Sequence, residues 1–447
     1  MPETENTTDK NIVIQGVTEN TITVLVDGMT HEIQKKLDVL QELMLKQASK
    51  SIQTADKIYN IGNINNANFD FLVNQAGHDK ALPSELMENL VGDGANWMQS
   101  LRQELVKHGI SVGNQPWNIF QNYGWLVETF LQKMGTAAGQ EKNLRRFSFM
   151  AEAYQATLRY LCYIQMAQVL QSDKKPQLGI ISDFLQMEGN QFLDFDYTNL
   201  LLSTTDVLGD TGFIKEINKF IAELTDTQSS LYGTALYLEN QRDNLMANKI
   251  PEDDKLNEVL DQYLTALVYW LRKLSFLAKY RLVSIKDINL NYSLGTTKNF
   301  VHLYGELHGL YSEADSTDED YNTKSIEGTF TFNKSILLFR GNDVASCMDG
   351  IQSDQSYVSL SPLVMDQSVY AGKPTQTPEI FYFSGYDKVK RQYNYAQYKN
   401  ELSYGGRGDI VSNKYIRVVA QNNNQPRLDE LFEQLEDVFK PLKIKQS

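Results

Sequence analysis

Residues 256–282, LNEVLDQYLTALVYWLRKLSFLAKYRL, are the stretch on which the predicted fold depends. Apolar residues recur there every three or four positions, which places them on one face of an α-helix. The helix is predicted to begin just after Pro251, because the acidic residues 252–254 suit the positive end of a helix dipole. The apolar face, which has to be buried, consists of Leu256, Val259, Leu260, Tyr263, Leu264, Leu267, Val268, Leu271, Leu274 and Leu277.

Directly after this helix the hydrophobic period changes from helical to two-fold. Alternation at 285–294 and again at 300–308 indicates β-strands. The helix is therefore expected to close a helical body and to support a β-rich part. We predict an α+β fold with a strand-helix-strand module at 1–80, an all-helical domain at 81–284 and a β-rich domain at 285–447.

The remaining elements are assigned from the same periodicities. The N-terminal module is predicted to contain strands at 11–16 and 21–26, a helix at 32–49 and a third strand at 51–61. Residues 83–249 read as helices, with the longest piece, 141–171, as a central helix. The C-terminal part is expected to contain strands at 301–307, 325–332, 336–339, 357–360, 379–383 and 414–420, and a closing helix at 427–439.

Composition limits the classes of function. The net charge of −14 over 447 residues argues against a surface that binds nucleic-acid backbone throughout. Two cysteines do not indicate a disulfide framework, and a reducing compartment fits them. The N-terminus lacks an apolar signal-peptide core, and the most apolar run, 160–170, is too short to cross a bilayer. We expect a soluble, cytoplasmic protein that does not bind membranes.

Two groups of residues are candidates for binding. In the segment YDKVKRQYNYAQY, three cations are interleaved with aromatic rings, a pattern that can track phosphates and stack bases, although alternating tyrosines are also an ordinary strand preference. The candidate nucleic-acid surface is Tyr386, Lys388, Lys390, Arg391, Tyr393, Tyr395 and Tyr398. The second group is an interaction strand at Ile22, Val24 and Val26, since a small module with an unpaired sheet edge gains from an added strand.

Other chemical patterns have ordinary structural interpretations. His302, Tyr304, Glu306 and His308 share one face of a predicted strand, but the two histidines are about 20 Å apart along it, too far for one metal site. Cys347, in a stretch that reads as a loop, lacks the flanking signature of a nucleophile. The glycine-rich turn at 405–408 lacks the ending of a nucleotide-binding loop. We assign no catalytic residue, cofactor or metal.

Two stretches resemble known sequences. NIVIQGVTENTITVLVDG at 11–28, with DKIYNIGNINNANF at 56–69, resembles the N-terminal effector-associated modules of bacterial anti-phage defence proteins, which occur with STAND or NACHT NTPases and caspase-like proteases. YVSLSPLVMDQSVY at 357–370, with EIFYFSGYDKVKRQYNYAQY at 379–398, resembles uncharacterised bacterial proteins of similar genomic company. The first resemblance implies recruitment of a partner by contact between like modules.

The expected function is accordingly non-enzymatic. The protein would be an adaptor, a regulatory subunit or a protease-substrate effector in an antiviral defence system. Its partner would be an NTPase, a caspase-like protease or a copy of the N-terminal module, and 312–325 would be the cleavable segment. The alternative is a nucleic-acid-binding sensor, or an enzyme of unrecognised type, that acts through the C-terminal domain.

Overall fold

In the computed structural model of the protein, the segment quoted above forms a helix at Asp253–Lys273, a 3-10 turn at Ser275–Lys279 and the start of a strand at Tyr280. The helix therefore ends before the predicted residue 282. The Ser275 hydroxyl donates to the Arg272 carbonyl at 2.6 Å, which satisfies an acceptor that the next helical turn would otherwise use. The chain then leaves in extended conformation.

The structure describes the following residues: 12–18, 21–26, 97–112, 116–135, 137–172, 179–188, 191–193, 195–247, 249, 253–291, 299–308, 324–328, 334–341, 343–349, 357–372, 378–397, 414–420 and 427–443. The predicted helix at 32–49, the strand at 51–61 and the glycine-rich turn at 405–408 lie outside them. By contacts the chain divides into two units, 1–62 and 63–447.

Helices dominate the first part of unit 63–447. They are α1 (Trp97–Lys107), α2 (Pro116–Phe120), α3 (Trp125–Gly135), α4 (Ala137–Gln140), α5 (Leu144–Gln171), α6 (Ile180–Leu185), α7 (Tyr197–Leu208), α8 (Ile217–Thr225), α9 (Ser230–Met246) and α10 (Asp253–Lys273). Of the helices that the structure describes, none combines the length and apolarity that crossing a membrane requires.

Two antiparallel sheets follow, so the fold is mixed α+β. The first has the order β5-β4-β3-β6-β7, formed by β3 (Tyr280–Asn291), β4 (Asn299–Glu306), β5 (Lys324–Gly328), β6 (Ile336–Arg340) and β7 (Tyr357–Ser359). The second has the order β11-β10-β9-β8, formed by β8 (Val364–Asp366), β9 (Ile380–Asp387), β10 (Gln392–Gln397) and β11 (Lys414–Val418). Three helices lie among and after the strands: α11 (Val344–Asp349), α12 (Gln367–Tyr370) and α13 (Arg427–Lys443).

The helices and the sheets share one hydrophobic core. A single cluster of buried side chains runs from Trp97 in α1, through Leu267 and Trp270 in α10, to Phe383 in β9 and Phe439 in α13. The predicted boundary at residue 284 therefore marks a change of secondary structure within a continuous core. A smaller cluster lies between the first sheet and α11 and includes Val283.

Helix α5 is central, as its all-round apolarity predicts. Asn143 caps its N-terminus by accepting from the Arg146 amide at 3.1 Å. Tyr163 donates from its hydroxyl to the Phe383 carbonyl at 2.6 Å, and the Trp270 indole donates to the Thr157 hydroxyl at 2.8 Å. These buried bonds join α5 to the second sheet and to α10.

Unit 1–62 contains an antiparallel hairpin, β1 (Ile12–Thr18) paired with β2 (Thr21–Val26). Its register places Ile12, Ile14 and Val17 opposite Val26, Val24 and Ile22, with an irregularity between Ile14 and Val17. Within the part of the chain that the structure describes, no third strand joins this sheet.

Candidate functional site

The candidate site begins with the turn into α3. Gly124 has φ of +90°, and a Cβ there would lie 2.4 Å from the Tyr160 ring, so this position requires glycine. The Gly124 amide donates to Glu128 Oε1 at 3.0 Å. Glu128 is only 1 % exposed, and its carboxylate lies in the first turns of α3, where the helix dipole favours negative charge.

The partner of this carboxylate comes from the first sheet. His308 follows the end of β4, and its Nδ1 lies 3.5 Å from Glu128 Oε2 with the side chain 25 % exposed. Burial alone would lower the pKa of His308. Contact with Glu128 and the charges of Glu128 and Glu306 outweigh burial and raise the pKa above its ordinary value of 6.5.

The pair lies in a shallow cleft between the α3 turn and strands β3 and β4, with an empty volume of about 230 Å³ including its open mouth. Arg281, in the same cleft, donates to Asn122 Oδ1 at 3.0 Å and to the carbonyls of Ala278 and Tyr280. Glu306 is paired with Lys324 at 2.8 Å. The lining is Gln121, Gly124, Glu128, Tyr280, Arg281, Leu282, Glu306, Leu307 and His308.

This arrangement has two chemical capacities. A carboxylate next to an imidazole orients the ring and raises its basicity, so the pair can exchange a proton near neutral pH. It can also act as an ion pair whose strength depends on the protonation of His308. Among the residues described, no group of three or more His, Cys, Asp or Glu side chains could hold a metal ion.

A second polar cluster lies between the two sheets and is closed to solvent. Lys286 in β3 donates from Nζ to Asp366 Oδ2 at 2.6 Å and to the Ser368 hydroxyl at 2.9 Å, and its side chain is 0 % exposed. Asp366 also accepts from the hydroxyls of Ser284 and Ser368 and from the amides of Ser368 and Glu379. Burial lowers the pKa of Lys286, and Asp366 opposes that shift.

A lysine beside a serine hydroxyl can activate it as a nucleophile. Here, however, Lys286, Asp366 and Ser368 are all buried, with at most 5 % of each residue exposed. A substrate therefore has no access to them. Every oxygen of Asp366 is already hydrogen-bonded. We interpret the Lys286–Asp366 cluster as a structural connection between the sheets.

The structure corrects the geometry of the candidate nucleic-acid surface. Tyr393 and Tyr395 are 0 % exposed, because the β9–β10 hairpin packs these rings into the main core. Tyr393 donates to Glu436 and Tyr395 to the Pro362 carbonyl. Tyr386 is half-buried and packs on Tyr393 with ring centroids 4.6 Å apart. The rings of Tyr393 and Tyr395 are therefore not available for stacking on bases.

The cations of that surface lie at the hairpin turn. Lys388 contacts the Gln186 side chain, and Lys390 pairs with Asp387 at 3.2 Å while remaining 70 % exposed. Arg391 adopts φ of +49° in the turn. Tyr398 lies outside the described residues.

Strand β4 also differs from the expectation that His302, Tyr304, Glu306 and His308 form a polar face. His302 is 0 % exposed and Tyr304 3 %, so both are buried. Cys347 lies on α11, where a loop was predicted, with Sγ 3.5 Å from the Arg340 carbonyl. Burial raises the pKa of the Cys347 thiol, which disfavours the nucleophilic thiolate.

Sequence reasoning missed Glu128, Arg281, Lys286 and Asp366. Two of them carried a signal: Lys286 interrupts the apolar strand pattern VSIKDI, and Asp366 interrupts the apolar run LVMDQSV. A charge inside such a run implies a buried partner, although the run does not identify it.

No protein-family model matches the chain, and neither the curated proteins nor the solved structures include a significant match.

Proposed function

We propose that the protein is a non-enzymatic adaptor, regulatory subunit or protease-substrate effector of a bacterial anti-phage defence system, located in the cytoplasm. Its N-terminal module, residues 1–80, recruits the partner, which is an NTPase, a caspase-like protease or another copy of the module. The resemblance of residues 11–28 and 56–69 to effector-associated modules supports this proposal.

The observation that carries the proposal is the β1–β2 hairpin. Among the residues of contact unit 1–62 that the structure describes, this hairpin forms a sheet of two strands. A two-stranded hairpin is marginally stable in water and gains from further strands or packing. An added strand would satisfy the backbone groups along an edge, which is how many modules bind extended segments.

The experiment is co-purification of the tagged protein from its native host, with and without residues 1–75. The truncated protein should keep its circular dichroism per residue and lose its partner. A truncated protein that stays folded and still retains the partner would refute recruitment through the module.

Point variants refine the test to the sheet edges. Val24→Pro and Val26→Pro remove backbone donors on one side of β2, and Thr23→Pro removes one on the other side, because donors alternate along a strand. If β2 both pairs with β1 and offers an outer edge, both kinds of variant should abolish partner binding. Val24→Ala is the matched control, because it shortens the side chain and leaves the backbone donor in place.

The protease-substrate version adds one requirement, cleavage within 312–325, a segment of which the structure describes only the last two residues. Mass spectrometry of the protein recovered from cells with an active protease would locate the cut. The rival function, nucleic-acid binding, rests on the exposed cations Lys390 and Arg391 at the β9–β10 turn. It predicts salt-sensitive retention on a nucleic-acid column that is lost when both are replaced by Gln.

A further inference from the structure

The exit from strand β4 is attached to the rest of the fold at three successive points. Glu306 ends the strand and pairs with Lys324 of β5. The Leu307 amide donates to the Leu282 carbonyl at 2.8 Å, and its side chain is in the main core. His308 then reaches Glu128 on α3. The last contact connects this exit to the helical part through titratable groups.

The charges that face His308 favour its protonated form. Glu128 approaches from α3 and Glu306 from the end of β4, whereas Arg281 on β3 opposes protonation. Gln121 and Gly124, from the turn before α3, contribute polar groups and no charge to the same cleft. Glu306 is itself paired with Lys324 of β5 at 2.8 Å, so Glu128, 3.5 Å from Nδ1, is the carboxylate in direct contact with the imidazole.

Glu128 cannot easily adjust when His308 loses its proton. The carboxylate is 1 % exposed, and its Oε1 is bound by the Gly124 amide. The Oε2 atom lies 3.5 Å from His308 Nδ1, so a protonated imidazole supplies a counter-charge to this buried carboxylate.

We propose that Glu128 and His308 form a pH-dependent latch that holds the exit of β4 against helix α3 when His308 is protonated and releases it when His308 is neutral. The latch does not depend on the proposed function.

The sign of the pH dependence follows from the linkage between proton binding and folding. Because the folded-state pKa of His308 is raised, the folded protein retains the proton to a higher pH than the unfolded chain does. The stabilisation is complete below the unfolded pKa of about 6.5 and is lost as pH rises through the folded pKa. The latch should therefore be closed below about pH 6.5 and should open as the pH rises through the raised folded pKa of His308.

Hydrogen exchange read by mass spectrometry on the full chain tests the latch locally. The measured quantity is the protection factor of peptides that cover 303–308, after correction for the intrinsic rate at each pH. Between pH 6 and 8.5 it should fall by up to about fivefold, the range expected of a partly exposed ion pair. Peptides that cover 336–340, in β6 of the same sheet, should stay constant.

Three variants make the test specific. His308→Gln should give low protection at pH 6 that no longer changes with pH, and Glu128→Gln should give the same result because the counter-charge is gone. His108→Gln is the control, since it removes a histidine that follows α1 and is hydrogen-bonded to Ser275 at 2.8 Å. It should leave the pH dependence at 303–308 intact.

A flat wild-type profile, or a pH dependence that survives in His308→Gln, would overturn the latch. If Glu128→Gln fails to fold, the wild-type profile and His308→Gln still decide the question.

Discussion

Replacing Asp366 by Asn should destabilise the fold, with up to about 4.6 kcal/mol at pH 7 from the lost counter-charge of Lys286, and this contribution should shrink as the pH is raised. The carboxylate is the counter-ion of Lys286, whose side chain is 0 % exposed at an N–O distance of 2.6 Å. In the variant the ammonium keeps the Ser368 hydroxyl and an uncharged amide, which do not offset the desolvation of a buried charge.

The magnitude follows from the free energy needed to remove the proton from the buried lysine. An unfolded lysine has a pKa of about 10.4, so releasing its proton at pH 7 costs about 3.4 × 1.36, or about 4.6 kcal/mol. Lys286 will keep its proton only if doing so costs less, so this value is an upper limit for the part of the loss that comes from the charge of Lys286. Removing one partner of a buried ion pair typically destabilises by about 3–5 kcal/mol, which agrees.

The pH dependence has a definite sign. If Lys286 is neutral in the folded variant and protonated in the unfolded chain, the unfolded state binds one more proton. The free energy of unfolding then rises by about 1.4 kcal/mol per pH unit until the pH nears about 10.4, so that the deficit at pH 9 is about 1.9 kcal/mol.

The reverse variant, Lys286→Met, should behave differently. Asp366 retains four donors, the Ser284 and Ser368 hydroxyls and the Ser368 and Glu379 amides. The expected loss is therefore that of one charge-assisted hydrogen bond, about 2–3 kcal/mol, and a rise in pH should not restore it.

The assay is urea denaturation followed by circular dichroism at pH 7, 8 and 9, with each variant compared with the wild type. Asp261→Asn is the matched control, because Lys142 and Asp261 are also 2.6 Å apart while their side chains are 46 % and 58 % exposed. It should change the free energy of unfolding by no more than about 1 kcal/mol. An Asp366→Asn deficit that equals the control would refute a charged buried pair. A larger deficit that stays constant from pH 7 to 9 would show that Lys286 keeps its proton in the variant.

Two further predictions concern packing. Leu267→Asp places a carboxylate in the core shared by helices and sheets, where Leu267 is 0 % exposed. It should destabilise the protein by several kcal/mol and unfold the helical and β-rich parts together in one transition. A separate melting transition of the C-terminal part would contradict this expectation. Gly124→Ala forces a Cβ to within 2.4 Å of the Tyr160 ring, whereas Gly209→Ala, also at positive φ, has no atom within 4 Å. Thermal denaturation should show the first variant less stable than the second by about 1–3 kcal/mol, and equal stabilities would mean that Tyr160 moves aside freely.

Local sequence patterns located several elements of unit 63–447. Hydrophobic period is a property of neighbouring residues, so it located α5, α10, α13 and the strands β3, β4 and β6 without knowledge of their partners. It placed the end of α10 wrongly, because Leu274 and Leu277 continue the apolar spacing although Ser275 closes the helix.

The candidate site required the tertiary structure. Glu128 and His308 are 180 residues apart in the chain, and Lys286 and Asp366 are 80 residues apart. A charge pattern in sequence shows neither which partner folding brings within 4 Å nor whether water reaches the pair. Burial decides both the pKa direction and the energetic role of such groups.

The tyrosines of the β9–β10 hairpin show the same limit. Their alternation correctly indicates a strand, and it is compatible with either face of that strand being exposed. Packing against α13 buries Tyr393, and a hydrogen bond to the Pro362 carbonyl satisfies the buried Tyr395 hydroxyl. The sequence by itself determined that these residues form a strand, whereas only the tertiary structure decided that their rings belong to the core, because burial depends on elements distant in the chain.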